Sequence, residues 1–181
     1  MIILIAGSSR TGKTLLAQRM LEKYKYPYLS IDHMKMGLIR SGYTNLSPED
    51  DNPVLTAYLW PVVREIIKTA VENNQNLIVE GCYIPFDWRR DFDERYQQSI
   101  RFVCLAMTDE YVDAHYDDIL RHESEIESRP EVPDCTLERL KACNRYFVNG
   151  FRARGEEVFM ISSDYEQALS RLLDGNLIPD P

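Results

Sequence analysis

The chain has 181 residues, 44% of them hydrophobic and 28% charged, with a formal net charge of −8. That size and mix fit a single globular domain with a substantial core, and the acidity argues against a non-specific binder of nucleic acid or of an anionic membrane. Four cysteines (Cys82, Cys104, Cys135, Cys143) and three histidines (His33, His115, His122) form no CxxC pair and no zinc spacing, so the thiols read as reduced, in a cytoplasmic protein, three of them at or near the core.

Taken in chain order, short apolar runs alternate with helical periods. Ile2 to Ile5 reads as a strand buried on both faces, and it ends at Gly7. The run is too short for a signal or membrane segment, and nothing later approaches 18 apolar residues. Lys13 to Tyr24 has helical spacing, Pro27 to Ile31 reads as a second strand, and His33 to Arg40 as a helix stopped by Ser41-Gly42. A polar loop from Tyr43 to Asn52 follows. Pro53 to Asn74 carries a strong helical period through Val54, Leu55, Tyr58, Val62, Ile66, Ile67 and Ala70, with Pro61 predicted to kink or split it. Tyr58 and Trp60 lie in that period and are assigned to the core.

Leu77 to Glu80 reads as a third strand, followed by an aromatic loop from Cys82 to Trp88. Ile100 to Met107 is a fourth strand, Tyr111 to Glu127 a helix, and Arg129 to Pro133 a loop. Leu137 to Arg154 forms a helix ended by Gly155. Glu157 to Ile161 is a fifth strand, and Asp164 to Leu173 the last helix. The alternation predicts an α/β domain spanning residues 1–181, built on a five-stranded, mostly parallel sheet with helices on both faces. Ligands of such sheets bind beyond the carboxyl ends of the strands. That rule selects Gly7–Thr14, Asp32, Glu80-Gly81 and Thr108-Asp109.

The segment Gly7-Ser8-Ser9-Arg10-Thr11-Gly12-Lys13-Thr14 fits G-x-x-x-x-G-K-[ST], after a strand and opening a helix. Its glycines allow the backbone N–H groups to turn inward, and the helix adds its positive end. Lys13 then reaches the β- and γ-phosphates of ATP, and the Thr14 hydroxyl ligates Mg²⁺. No Asn-Lys-x-Asp segment reads guanine, which excludes a GTPase.

With Asp32 after the second strand, Glu80-Gly81 after the third, and Ser128-Arg129-Pro130 between two long helices, the chain resembles the P-loop small-molecule kinases. That family includes nucleoside monophosphate, shikimate, gluconate and chloramphenicol kinases. The resemblance implies a P-loop NTPase three-layer sandwich of the nucleoside monophosphate kinase type. It also implies an acceptor-binding helical region at about 33–75 and a short lid at about 121–135.

In the family's hydroxyl-phosphorylating members an Asp at the position of Asp32 takes the acceptor's proton; the competing reading is a helix cap before His33, and the two roles can coexist. Glu80 either holds a Mg²⁺-bound water or contacts the acceptor, or is a strand-end carboxylate without a role. Arg129, and next Arg121, are the candidate lid cations over the transferring phosphate; otherwise they pair at the surface with Glu123, Glu125 or Glu127. Lys35, Arg40 and Arg64 are candidates for binding an anionic acceptor, or are solvated surface.

The expected activity is therefore transfer of the γ-phosphate of MgATP to a small molecule at a hydroxyl, by a monomer or homodimer. A nucleoside monophosphate kinase and a non-catalytic nucleotide-binding regulator are the alternatives. Lys35 stands where nucleoside monophosphate kinases usually carry an arginine, and the loop after the third strand has no arginine before Arg89. Both departures count against a nucleotide acceptor.

Overall fold

The computed structural model describes residues 1–122 and 136–175. Five strands form one sheet in the order β2-β3-β1-β4-β5, and every neighbouring pair is parallel. The strands are β1 (Ile2–Ala6), β2 (Tyr28–Ser30), β3 (Leu77–Glu80), β4 (Ile100–Met107) and β5 (Val158–Ile161). Between and after them run α1 (Lys13–Tyr24), α2 (Ile31–Arg40), α3 (Asn52–Glu72), α4 (Glu94–Gln97), α5 (Asp109–Arg121), α6 (Leu137–Arg152) and α7 (Tyr165–Asp174).

β1 is central and wholly buried, as a strand covered on both faces must be. Its side chains alternate between two cores. Ile2, Leu4 and Ala6 pack with α3 and the aromatic residues Trp88, Phe102, Phe147 and Phe151. Ile3 and Ile5 pack with α1, α5 and α7 through Leu16, Val112 and Leu169. Helices therefore cover both faces, as the alternating pattern predicted.

Several expectations need correction. α3 runs unbroken through Pro61. Proline removes one backbone N–H and its ring crowds the carbonyl four residues back, here that of Ala57. Both residues lie on the solvent side, where the orphaned carbonyl is within reach of water. Trp60 is buried, but Tyr58 is exposed. Cys104 is buried and Cys82 half-buried, as expected of core or near-core thiols, while Cys143 is exposed; Cys135 lies outside the described residues. α2 begins at Ile31, two residues early, with Ser30 as its N-cap. A 3₁₀ turn (Trp88–Asp91) and α4, each of four residues, were not anticipated, because one turn is too short to display a period.

Candidate functional site

The carboxyl ends of β1, β2 and β3 converge through the sheet register, which sets Ile5 beside Glu80 and Glu80 beside Ser30. The phosphate-type loop Gly7–Gly12, the first turn of α2 and the residues after Glu80 therefore share one edge of the sheet.

The loop is shaped by three left-handed or otherwise positive φ values, at Gly7 (138°), Arg10 (67°) and Gly12 (85°). A side chain at Gly7 would have its Cβ 2.2 Å from the Leu105 carbonyl oxygen, and one at Gly12 would meet the Tyr165 hydroxyl at 1.6 Å. Glycine is thus required at both places. Ser8, Thr11, Lys13 and Thr14 are buried. Thr11 Oγ1 donates to the Ser8 carbonyl at 2.9 Å and Lys13 Nζ donates to the same oxygen at 2.7 Å. Gly12 is the N-cap of α1 and supplies no side-chain acceptor, so the first N–H groups of this helix are open to an external anion.

Asp32 does not end a strand; it lies in the first turn of α2. Its carboxylate accepts from Lys35 Nζ at 2.8 Å, and the same ammonium donates to the Tyr83 hydroxyl at 2.7 Å. Lys35 is only 8% exposed. Burial works against its charge, but the neighbouring Asp32 and the Tyr83 hydrogen bond outweigh it and hold its pKa above the ordinary lysine value. Burial, with Asp32 second, pushes the Tyr83 phenol up to about 12 against the opposing pull of Lys35. Asp32, Lys35 and Tyr83 thus form a half-buried polar cluster. The i, i+3 spacing of Asp32 and Lys35 was visible in the sequence, but the third member, from 48 residues further on, was not.

Glu80 is buried at the end of β3. Cys82 follows it, with its Sγ 3.7 Å from Ser9 Oγ, tying the loop after β3 to the phosphate-type loop. Cys104 on β4 feels the Lys13 charge, but burial dominates and raises its pKa to about 12, so it is an inert thiol. A cleft of about 650 Å³ opens from Cys82 between α3 and α6. Asp32, Lys35 and Tyr83 are not among its lining residues.

Arg64, Arg89 and Arg121 are engaged elsewhere, and Arg40 is exposed at the end of α2. Arg89 makes two hydrogen bonds to Glu156 and lies over the Trp88 ring. Arg64 pairs with Glu65 and Asp91. Arg121 is exposed at the end of α5, where it pairs with Asp118 at 2.8 Å. Arg129 and residues 123–135 of the expected lid lie outside the described residues. Tyr165, whose hydroxyl stands over Gly12, comes from the segment after β5.

The donor set suits a hard cation held largely by a ligand. The Thr14 hydroxyl and the Glu80 carboxylate are oxygen donors. Among the described residues no group of three or more His, Cys, Asp or Glu could form a protein cage for a metal. Nor is any described helix long and apolar enough to cross a membrane.

No protein-family model matches the chain, and no curated protein matches it. Solved structures do. A shikimate kinase from Aquifex aeolicus matches with a TM-score of 0.52 at 14% identity, over 96% of this chain and 94% of its own. A sugar kinase from Janibacter sp. HTCC2649 matches with a TM-score of 0.52 at 15% identity, over 95% and 91%. A deoxyadenosine kinase from M. mycoides matches with a TM-score of 0.53 at 13% identity, over 96% and 97%. The chain has the fold of the P-loop small-molecule kinases.

Proposed function

We propose that the protein is an ATP-dependent phosphotransferase that moves the γ-phosphate of MgATP to a hydroxyl of a small molecule. The observation that carries the reading is the pairing of two unlike sites on one sheet edge. One is a backbone loop built for phosphate, and the other is a carboxylate fixed by a buried lysine. A loop alone would support nucleotide binding only.

In this reading the N–H groups of Gly7–Thr14 and the Lys13 ammonium bind the phosphates, and the Thr14 hydroxyl and Glu80 hold magnesium, directly or through water. The nucleotide and its metal supply the transferable phosphoryl group with part of its charge neutralised. Lys13 offsets charge that develops on the equatorial oxygens. Asp32 Oδ1 is held by Lys35, and the carboxylate accepts the hydroxyl proton of the acceptor as the bond to phosphorus forms. Arg129 of the lid is proposed as the further cation, ahead of Arg121.

Against a nucleoside monophosphate as acceptor stands the state of Lys35. Two of its three N–H groups are already donated to Asp32 and Tyr83, which leaves it poorly placed to clamp an incoming phosphate. The test is a panel of small hydroxylated metabolites and nucleoside monophosphates, scored for ADP release with MgATP. A hydroxylated acceptor should stimulate release. Thermal stabilisation by ATP without acceptor-dependent ADP from any member of the panel would support a nucleotide-binding regulator instead.

A further inference from the structure

α3 is apolar on both sides. Its inner positions, Leu55, Leu59, Val63 and Ile67, are buried in the core. Its outer positions are Pro53, Val54, Ala57, Tyr58, Pro61, Val62, Glu65, Ile66 and Thr69, all exposed. Over those five turns Glu65 is the single charge, and Arg64 and Lys68 neutralise it at 2.8 and 3.1 Å. An apolar helix face of this length is unusual on a lone chain, because a helix that is hydrophobic all round is normally covered.

Val54 and Tyr58 in the N-terminal half of the face and Val62 and Ile66 in its C-terminal half are all exposed. The C-terminal half borders a mostly apolar groove of about 1100 Å³, floored by Val62, Ile66 and Ala70 and walled by Pro27 and Leu77. A twofold axis near residue 60, with the two helices antiparallel, sets Val54 against Ile66 of a second copy and Tyr58 against its Val62. Apolar side chains of each copy then meet apolar side chains of the other across the axis, which is the self-complementarity an isologous contact demands.

Charge follows the same symmetry. Glu49, Asp50 and Asp51 immediately precede the N-terminal half of α3. Lys25 and Arg64 line the groove, and Lys68 stands on α3 beside it. In the antiparallel pair Lys68 falls beside Asp51 of the other copy. Opposite charges meet even though the whole chain carries −8.

We infer that this face pairs two copies of the chain. A contact about 25 Å long and about 10 Å wide, with the groove walls added, covers roughly 400 Å² per copy, about half of the ~800 Å² of a standard stable interface. A contact of that size is at the low end for specific association, so the pair is a weak, reversible one.

Sedimentation velocity on the full chain from about 1 to about 200 µM tests this. The expected result is a concentration-dependent shift from one chain to two. Val62→Glu should remain a single chain throughout, with unchanged circular dichroism. Asp51→Lys and Lys68→Glu should each weaken pairing by several-fold, and the double variant should restore it. Asp51 makes no side-chain capping bond, so its replacement costs the helix little. A wild-type chain that stays single at 200 µM overturns the inference, as does a Val62→Glu variant that pairs like wild type. Pairing seen only after truncation at Gly175 would mean that residues 176–181 occupy the groove instead, and would equally overturn it.

Discussion

The two halves of the site are built from different materials. The donor half, Gly7 to Thr14, is made of backbone: positive φ angles, inward N–H groups and an uncapped α1. The acceptor half is made of side chains brought from separate segments: Asp32 and Lys35 from α2, Tyr83 from the loop after β3. Side chains of Asp93, Thr108, Thr136 and Asp164 cap α4, α5, α6 and α7, whereas α1, α2 and α3 have no side-chain cap. In the proposed reading the nucleotide is served by backbone, which any sequence supplies once glycine is in place, and the acceptor by side chains, whose identity is free to change.

If that division is right, changes in the donor half should abolish nucleotide binding, and changes in the acceptor half should spare it. The largest effect is expected from Lys13→Ala. Loss of a cation on the transferring phosphate should reduce acceptor-dependent turnover about 10³-fold, and the thermal shift produced by MgATP should shrink with it. Substantial turnover in that variant would refute the assignment of the loop. Asp32→Asn should come next, with turnover down by about 10²-fold, the lower end for loss of a general base. Its MgATP-induced shift should match that of the wild type. A variant that loses both would mean that Asp32 supports the nucleotide half, and the division would fail.

The donor half was legible in the sequence for the same reason that it is generic. Gly7 and Gly12 must be glycine, because a Cβ at either would strike Leu105 or Tyr165, and such positions leave a fixed spacing in the chain. β1 was legible because burial on both faces gives an unbroken apolar run. The acceptor half was only partly so. Asp32 was found from its place after a strand, but its helix begins earlier than expected, and the contact of Lys35 with Tyr83 is a product of folding that no local spacing encodes. Tyr58 was misassigned because α3 is apolar on both sides, so its period could not say which stripe faces inward. α3 is not split at Pro61, because the cost of proline in a helix depends on whether the freed carbonyl meets water.

A smaller effect should separate the members of the acceptor cluster. Lys35 is held above the ordinary lysine pKa of about 10.5, so its contribution to stability is complete below that value and is lost as pH rises through its folded pKa. Tyr83 keeps its proton to about 12, whereas an unfolded tyrosine releases it near 10. Between those values the unfolded chain has shed a proton that the folded chain retains, so stability again falls with rising pH. Tyr83→Phe should cost about 1–2 kcal/mol at neutral pH through its lost bond to a charged donor. It should also show a shallower fall in Tm between pH 10 and 12 than the wild type. Equal slopes would mean that the cluster is more solvated than its burial implies.

The smallest effect is expected at Arg121, and it bears on where the acceptor half ends. The side chain is exposed and pairs with Asp118 one turn back on the same helix. Pairs of that kind contribute about 0.3–0.5 kcal/mol, so Arg121→Ala should leave Tm almost unchanged. Because that guanidinium is already engaged at the surface, the variant should also keep turnover within about threefold, corresponding to less than ~1 kcal/mol of transition-state stabilisation. Arg129→Ala, if Arg129 is the lid cation, should instead lose turnover by about 10²-fold or more. A loss at Arg121 matching that at Arg129 would show that α5 delivers its terminal arginine to the transferring phosphate. The Asp118 pair would then be a resting contact that the reaction must break.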